Sequence, residues 1–482
     1  MTAAARTSAY DILHDIEERG KYSNVALQQH YRKHTLQERD KALCTEIVYG
    51  TLQYQRSIDA VLEPLCKNGL AGVDKRVLVI LRMSIYQLGY LSRVPEYAVL
   101  NDAVELCKAK ARKAAGFVNG VLRSFTRDKR SMADKLDAVC TTGSQAAQIG
   151  IRYSYPDWFV EDLLVQYGEQ RTVAMLKAGN ERPHISLRVN AVKSTPQTFI
   201  EAQSNEAQSG APQSSESQDV LSLSEVSPFA VRLASGLDME HFTPYTEGLV
   251  SVQDEASMLV APLLQVDENT RVLDLCAGLG TKTTQILELQ GGVGNVTAVD
   301  IHHHKLQRLK AATERLGLQG VKTMVADARS FQTNARHRES YDAVLLDAPC
   351  SGMGVLKRRP EIRWRRTREE SQQLSVLQKE LLRAALTAVR PGGVVVYATC
   401  TLLRRENEDV VDTLMREQEG SVVIEDILPD LPETVRVHCD SSAAGHGLGH
   451  FITVTPEQFG TDGFFMTRLR KRDSHVEKGG IT

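Results

Sequence analysis

The sequence predicts an α/β protein: a mostly parallel sheet in the C-terminal half, covered by helices on both faces, behind an all-helical N-terminal domain. Three observations lead there. Helical periodicity fills roughly the first 130 residues. From about residue 250, short β-rich apolar runs alternate with helical stretches, as strand–helix–strand units require. Between them, residues 145–250 hold one clear strand, LRVN at 187–190, which suggests a small α+β linking domain. The expected division is 1–140 helical, 145–250 linking, 251–472 sheet domain and 473–482 disordered tail, because 482 residues exceed one ordinary core.

In the helical domain, Val77, Leu81, Ser84, Ile85 and Leu88 recur at helical spacing within KRVLVILRMSIYQLGYL. Pro95 breaks the pattern, and a second helical stretch, AVLNDAVELCKAKARKAAGFVNGVLRSF, follows. Residues 1–140 carry 22 Lys/Arg against 16 Asp/Glu, whereas 141–250 carry 7 against 13. On a chain of net charge −2, a basic N-terminal third hints at a polyanionic partner. The stretch from Gln203 to Gln218 (QSNEAQSGAPQSSESQ) lacks large apolar residues and is expected to be a disordered insertion.

No run of about 18 apolar residues offers a membrane span, and MTAAARTSAYDILHDIEERG lacks the apolar stretch of a secretory signal, so a cytoplasmic location without membrane contact is expected. The eight cysteines are scattered and form no C-x-x-C pair, which argues against a disulfide framework and against a bound metal. Nothing demands more than a monomer.

In a parallel sheet, ligands bind beyond the carboxyl ends of the strands, so the informative residues belong where each apolar run stops. RVLDL runs into CAGLGTKTTQILE, where Gly278 and Gly280 permit a tight turn before a helix. Asp300 ends the next strand, 26 residues beyond Asp274, where a carboxylate can accept from two ribose hydroxyls. Asp327 ends the third, placed to meet an adenine edge. A lone aspartate at such a place is more often a cap or turn residue. Three acids at three successive strand ends favour a ligand. His302, His303 and His304 are consecutive at a helix start and cannot all face one metal, so they read as surface.

Two cysteines also lie at strand ends: Cys350 in LLDAPCSGMG and Cys400 in VVYATCTLL. If their strands are neighbours, both thiols reach one cleft. Thiols there suit a pyrimidine C5, a carbon too weakly nucleophilic to attack a sulfonium methyl unaided. Adding a thiolate at C6 makes the ring an enamine with electron density at C5. Asp347 cannot lower a thiol pKa, since a carboxylate disfavours a second anion. Its better role is a hydrogen bond to the cytosine amino group or N3. The following KRRPEIRWRR sets Lys357, Arg358, Arg359, Arg363, Arg365 and Arg366 around Trp364, a composition that suits a splayed single strand and its phosphates.

VQDEAS at 252–257, then DLCAGLGTKTT, DAPCSGMG, RPEIRW, YATCTLLRRENE and TDGFF at 461–465 occur in this order. Together they resemble the RNA 5-methylcytosine methyltransferases of bacterial small-subunit ribosomal RNA. LRMSIYQLGYL and AAGFVNGVLR resemble that family's NusB-like N-terminal domain, so the resemblance covers nearly the whole chain. It implies a Rossmann-like class I methyltransferase domain, S-adenosyl-L-methionine as cofactor and ribosomal RNA as partner. It also implies roles: Cys400 as nucleophile, Cys350 in product release, and Asp347 against the target cytosine. Cys276, Ala277, Gly278, Leu279, Gly280, Thr281 and Lys282, with Asp300, Asp327 and Asp347, are implied to surround the cofactor. Lys357, Arg358, Arg359, Arg363, Trp364 and Arg365 are expected to hold RNA. The chain departs from the family's D-x-C-A-A-P-G-G-K-T at Leu279, in place of proline, and at Thr281, in place of the second glycine; Thr281 crowds the cofactor if its φ is positive. The alternatives are the same chemistry on transfer or other RNA, a DNA enzyme attacking through Cys350, or a non-catalytic RNA-binding scaffold. A nicotinamide-dependent enzyme would want a third glycine where Thr283 stands.

Overall fold

In a computed structural model, residues 3–208, 221–233, 239, 241–418, 420–438 and 449–473 are described. They form two compact units, one running to Glu181 together with Leu356–Arg366, the other comprising Arg182–Val355 and the chain from Thr367 onward.

The first unit is helical. Lys75–Tyr90 is its central helix, capped by Asp74, whose side chain accepts from the Arg76 amide at 2.9 Å. Val77, Leu81, Ser84 and Ile85 are buried as the periodicity requires, and Leu88 is partly buried against the same core. Pro95 separates it from the next helix, as expected. The following stretch is two helices, Glu96–Ala111 and Ala115–Arg127, because Ala111 leaves helical geometry and Arg112–Ala114 tightens into a 3-10 turn. The unit reaches further than residue 140. Gln145–Tyr153 and Asp157–Ala178 belong to it, tied down by Gln53 Nε2 donating to Asn180 O at 2.6 Å and Ser154 Oγ accepting from Arg56 N at 3.1 Å.

The second unit opens with a small antiparallel sheet. Its strands are β1 (Ile185–Val189), β2 (Leu221–Leu223), β3 (Ala230–Leu233) and β4 (Val250–Val252), in the order β2-β3-β1-β4. Helix Pro196–Gln208 carries the first six residues of the segment expected to be disordered; positions 209–218 lie outside the described residues, as do 474–482 of the tail.

The large sheet comprises β5 (Arg271–Asp274), β6 (Val293–Asp300), β7 (Gln319–Val325), β8 (Tyr341–Asp347), β9 (Val389–Thr399), β10 (Val422–Glu425), β11 (Ile452–Val454) and β12 (Phe464–Lys471). The order is β10-β12-β9-β8-β5-β6-β7, parallel from β7 through β9, with β12 antiparallel between β9 and β10. Successive residues alternate between two buried clusters. Val272, Leu345, Val396 and Ala398 face one; Leu273, Val344, Leu346 and Tyr397 face the other. A sheet buried on both faces explains why the strands read as continuous apolar runs. Among the described residues, no helix is long and apolar enough to cross a membrane.

Candidate active site

The glycine loop between β5 and helix Thr281–Leu289 folds against its neighbouring strands: Leu275 N donates to Leu345 O at 3.0 Å and Ala277 N to Val299 O at 2.9 Å. Gly280 caps the helix with φ of 85°, and a Cβ there would lie 2.1 Å from a Leu309 methyl carbon, so only glycine fits. Thr281 is the first residue of the helix and has no positive φ, so the conflict its backbone threatened does not arise. Arg188 of β1 braces this helix. It is fully buried and paired with Glu288 at 2.8 Å, and it donates to Thr284 Oγ1 at 2.9 Å. Burial raises the Glu288 pKa against the pull of Arg188.

The strand-end acids occupy different settings. Asp274 is buried; its Oδ2 accepts from Thr283 Oγ1 at 2.6 Å, while Oδ1 has no partner. Burial pushes its pKa up to about 7. Asp300 accepts from Gly278 N at 3.1 Å and from His302 N at 2.8 Å, so it holds the glycine loop in place. Asp327 caps the turn Ala328–Gln332 and grips the Arg329 guanidinium at 2.6 Å. That is the ordinary cap role, and an adenine edge would meet only its remaining lone pairs. Asp347 Oδ2 accepts from Lys282 Nζ at 2.6 Å, and Lys282 lies over the Phe464 ring at 4.8 Å. Asp274, Cys276, Ala277, Gly278, Leu279, Thr281, Lys282 and Asp347 line a cavity of about 320 Å³, joined by Val252, Asp254, Asp462 and Phe464.

The two strand-end thiols do meet. β8 and β9 are parallel neighbours with Asp347 opposite Ala398, and the loops beyond them bring Cys350 Sγ and Cys400 Sγ to 3.2 Å. The Cys350 pKa is driven far up, first by Cys400 and then by burial, which keeps Cys350 a protonated thiol at neutral pH. Two residues that sequence reasoning passed over, although they sit within YATCTLLRRENE, hold this arrangement. Buried Glu406 accepts from Ser351 N at 2.8 Å, from Gln378 Nε2 at 3.0 Å and from Ser371 Oγ at 2.6 Å. Asn407 brackets Cys400, accepting from Thr399 Oγ1 at 2.5 Å and donating to Thr401 O at 3.0 Å. Gly354 N donates to Cys400 O at 2.9 Å, and a Cβ on Gly354 would meet Gly463 O at 2.2 Å, which fixes glycine there by close approach.

The basic strip is not the open RNA surface its composition suggests, because several of its members are turned into the helical unit. Arg363 is 1% exposed; its guanidinium stacks on Tyr155 at 3.9 Å and donates to Gln53 O, Ser154 O and Gly179 O. Trp364 Nε1 donates to Leu52 O at 2.6 Å, and Arg365 donates to Ile16 O, Gly20 O and Lys21 O. Lys357 is buried, with Glu181 3.9 Å from its ammonium. Arg363, Trp364, Arg365 and Lys357 therefore serve the packing of the helical unit, not a phosphate backbone. Arg359 alone of the six is exposed, with its guanidinium over the Tyr22 ring at 5.3 Å, and Arg358 is half-buried.

The sheet order, with one antiparallel strand next to the last, and a glycine loop followed by acids at the strand ends define a class I S-adenosylmethionine-dependent methyltransferase. Family models agree: residues 261–470 match the 16S rRNA methyltransferase RsmB/F model, 3–127 the NusB family, and 155–237 the RsmF/B-like ferredoxin-like domain. The chain is 32% identical over 474 residues to the probable ribosomal RNA small subunit methyltransferase B of Bacillus subtilis, covering 97% of this chain and 99% of that protein. It is 30% identical to the ribosomal RNA small subunit methyltransferase B of Salmonella paratyphi B, over 89% of this chain and 93% of that one. It belongs to the ribosomal RNA small subunit methyltransferase B family. The crystal structure of PH0851 shares the fold, with a TM-score of 0.78, 24% identity, and coverage of 98% of this chain and 99% of that one. NSun6 from Pyrococcus horikoshii shares it over 65% of this chain and 97% of its own, with a TM-score of 0.54 and 20% identity.

The cofactor is S-adenosylmethionine. The residues present fit it: the orphaned Asp274 Oδ1 offers a buried acceptor for an ammonium, beside a cavity walled by the glycine loop.

Proposed function

We propose that this protein methylates C5 of a cytosine in small-subunit ribosomal RNA through a covalent adduct at Cys400. The observation that carries the reading is the pair of thiols 3.2 Å apart, at the ends of the two strands that also place Asp347. S-adenosylmethionine supplies the electrophilic methyl. The Cys400 thiolate, accepting from the Cys350 thiol, adds to C6; the new S–C6 bond pushes the C5–C6 π pair onto C5, which takes the methyl. Once Cys400 is bonded to carbon, the anion opposing ionisation of Cys350 is gone. Cys350, deprotonated to solvent, then removes the C5 proton. The C5–C6 double bond re-forms and Cys400 leaves as thiolate. Asp347, with one oxygen fixed by Lys282, accepts from the cytosine amino group through the other. A stacked base cannot reach these groups, so the target is unstacked or looped out. Arg359 is the exposed member of the basic strip and the one placed for phosphate contact.

The test is transfer of labelled methyl to unmodified small-subunit ribosomal RNA, naked and as particles, with wild type beside Cys400→Ala. Label at one cytosine as 5-methylcytosine, lost in the variant, supports the reading. A wild type that labels only transfer RNA, or binds RNA without turnover, overturns it.

A further inference from the structure

We infer that Cys350 and Cys400 form a peroxide-oxidisable pair, which closes to an intramolecular disulfide and reopens with a dithiol. The sulfurs at 3.2 Å need approach by only about 1 Å to reach bonding distance. The loops that carry them are already joined on either side of the thiols: Ala348 N donates to Ala398 O at 2.9 Å, Ser351 Oγ meets Thr401 Oγ1 at 2.9 Å, and Gly354 N donates to Cys400 O at 2.9 Å. Closure therefore asks for side-chain rotation and little backbone movement. Both cysteines are half-buried, so a molecule as small as a hydroperoxide reaches them.

The other described cysteines lack such a neighbour. Cys107 and Cys140 donate to the backbone carbonyls of Ala111 and Gln148. Burial pushes Cys44 up to about 11 and also raises Cys66, which leaves little thiolate on either. Cys276 is raised by burial and by Asp274 beside it.

The steps balance. The Cys400 thiolate attacks one oxygen of the hydroperoxide, the O–O bond breaks, and sulfenic acid forms as hydroxide or alkoxide leaves and takes a proton from solvent to become water or an alcohol. With Cys400 neutral, the largest influence holding the proton on Cys350 is removed. The Cys350 sulfur then attacks the sulfenic sulfur, the S–S bond forms, and hydroxide leaves with the Cys350 proton as water. Two electrons pass from the sulfurs to the peroxide. The second thiol thus protects the first from the irreversible sulfinic and sulfonic states.

The loss of methyl transfer on closure rests on Cys400 being the nucleophile, but the cross-link does not. The full-length protein is treated with stoichiometric hydrogen peroxide and read by peptide mass and thiol titration. The expected result is a Cys350–Cys400 cross-linked peptide, loss of two thiols per chain, and loss of methyl transfer in step, all reversed by dithiothreitol. In Cys350→Ser, Cys400 is expected as sulfenic acid trapped by dimedone, and then as sulfinic acid that dithiothreitol cannot restore. A wild type in which Cys400 reaches the sulfinic state with Cys350 still alkylatable overturns the inference. So does a cross-link through any other cysteine. If the cross-link forms and methyl transfer persists, the oxidation site stands and the assignment of Cys400 as nucleophile falls.

Discussion

The hydroxyls of Ser351 and Thr401 lie 2.9 Å apart, so the residues that follow the two strand-end cysteines are bonded to each other. With Gly354 N on Cys400 O and Glu406 on Ser351 N, the two loops are built as one body. The position of Cys350 relative to Cys400 is thus a property of the polar network beneath them.

That network makes Glu406 a positioning residue. Glu406→Ala takes the acceptor from Ser351 N and Ser371 Oγ, each costing about 1–3 kcal/mol, while Gln378 Nε2 keeps its bond to Pro349 O at 2.9 Å. The expected loss of stability is about 2 kcal/mol or more by the same accounting, read as a lower urea midpoint. Glu406→Gln keeps one acceptor oxygen and is expected to lose less. Stability unchanged within about 0.5 kcal/mol in Glu406→Ala, the range of an ordinary surface substitution, would refute this role.

Removing the thiols one at a time separates their parts. Cys400→Ala is expected to lower methyl transfer at least about a thousandfold, equivalent to about 4 kcal/mol of barrier, while RNA and cofactor still bind. Cys350→Ala leaves attack possible but removes the group that takes the C5 proton, so a protein–RNA adduct should persist on a denaturing gel. If the adduct instead accumulates in Cys400→Ala, the two roles are reversed.

Asp274 predicts a pH dependence with a definite sign. Its pKa is raised from the ordinary carboxyl value to about 7 by burial, so the native state holds a proton that the unfolded chain releases. The group therefore costs stability as pH rises from about 4 to about 7. Binding an ammonium runs the other way, because it requires the carboxylate. Cofactor affinity should then fall by up to about tenfold for each pH unit below 7, with proton uptake by the buffer on binding. Calorimetry in two buffers of different ionisation enthalpy measures that proton. Asp274→Asn should bind weakly at every pH with no proton released; an unchanged profile would remove Asp274 from the cofactor site.

The large sheet was legible because a strand buried on both faces must be apolar throughout, and its ends must carry whatever polar chemistry exists. The same reasoning put Asp347, Cys350 and Cys400 in one cleft, needing only that their strands be neighbours. The Arg188–Glu288 pair was not legible, since it joins residues 100 apart on different elements and neither lies in a recognisable pattern. The strip around Trp364 misled for a physical reason. A guanidinium stacks on tyrosine and donates to backbone carbonyls as readily as to phosphate, so composition cannot separate a buried brace from an RNA-binding surface.

Arg363 and Arg359 test that distinction, because they stand four residues apart with opposite settings. A phosphate contact releases counterions, so its loss flattens the dependence of log affinity on log salt by about 0.7 to 0.9 per contact. Arg359, open to solvent, is expected to follow this rule: Arg359→Ala should weaken binding to ribosomal RNA and flatten the slope, with stability unchanged. Arg363→Ala removes a buried stack on Tyr155 and strands the carbonyls of Gln53, Ser154 and Gly179. It should lower the urea midpoint sharply, by a loss on the order of 3 kcal/mol, and leave the salt slope of the remaining folded protein intact. Arg363→Lys should recover little, since an ammonium cannot reproduce the planar stack. A flattened slope with full stability in Arg363→Ala would return this residue to the RNA surface and overturn its structural assignment.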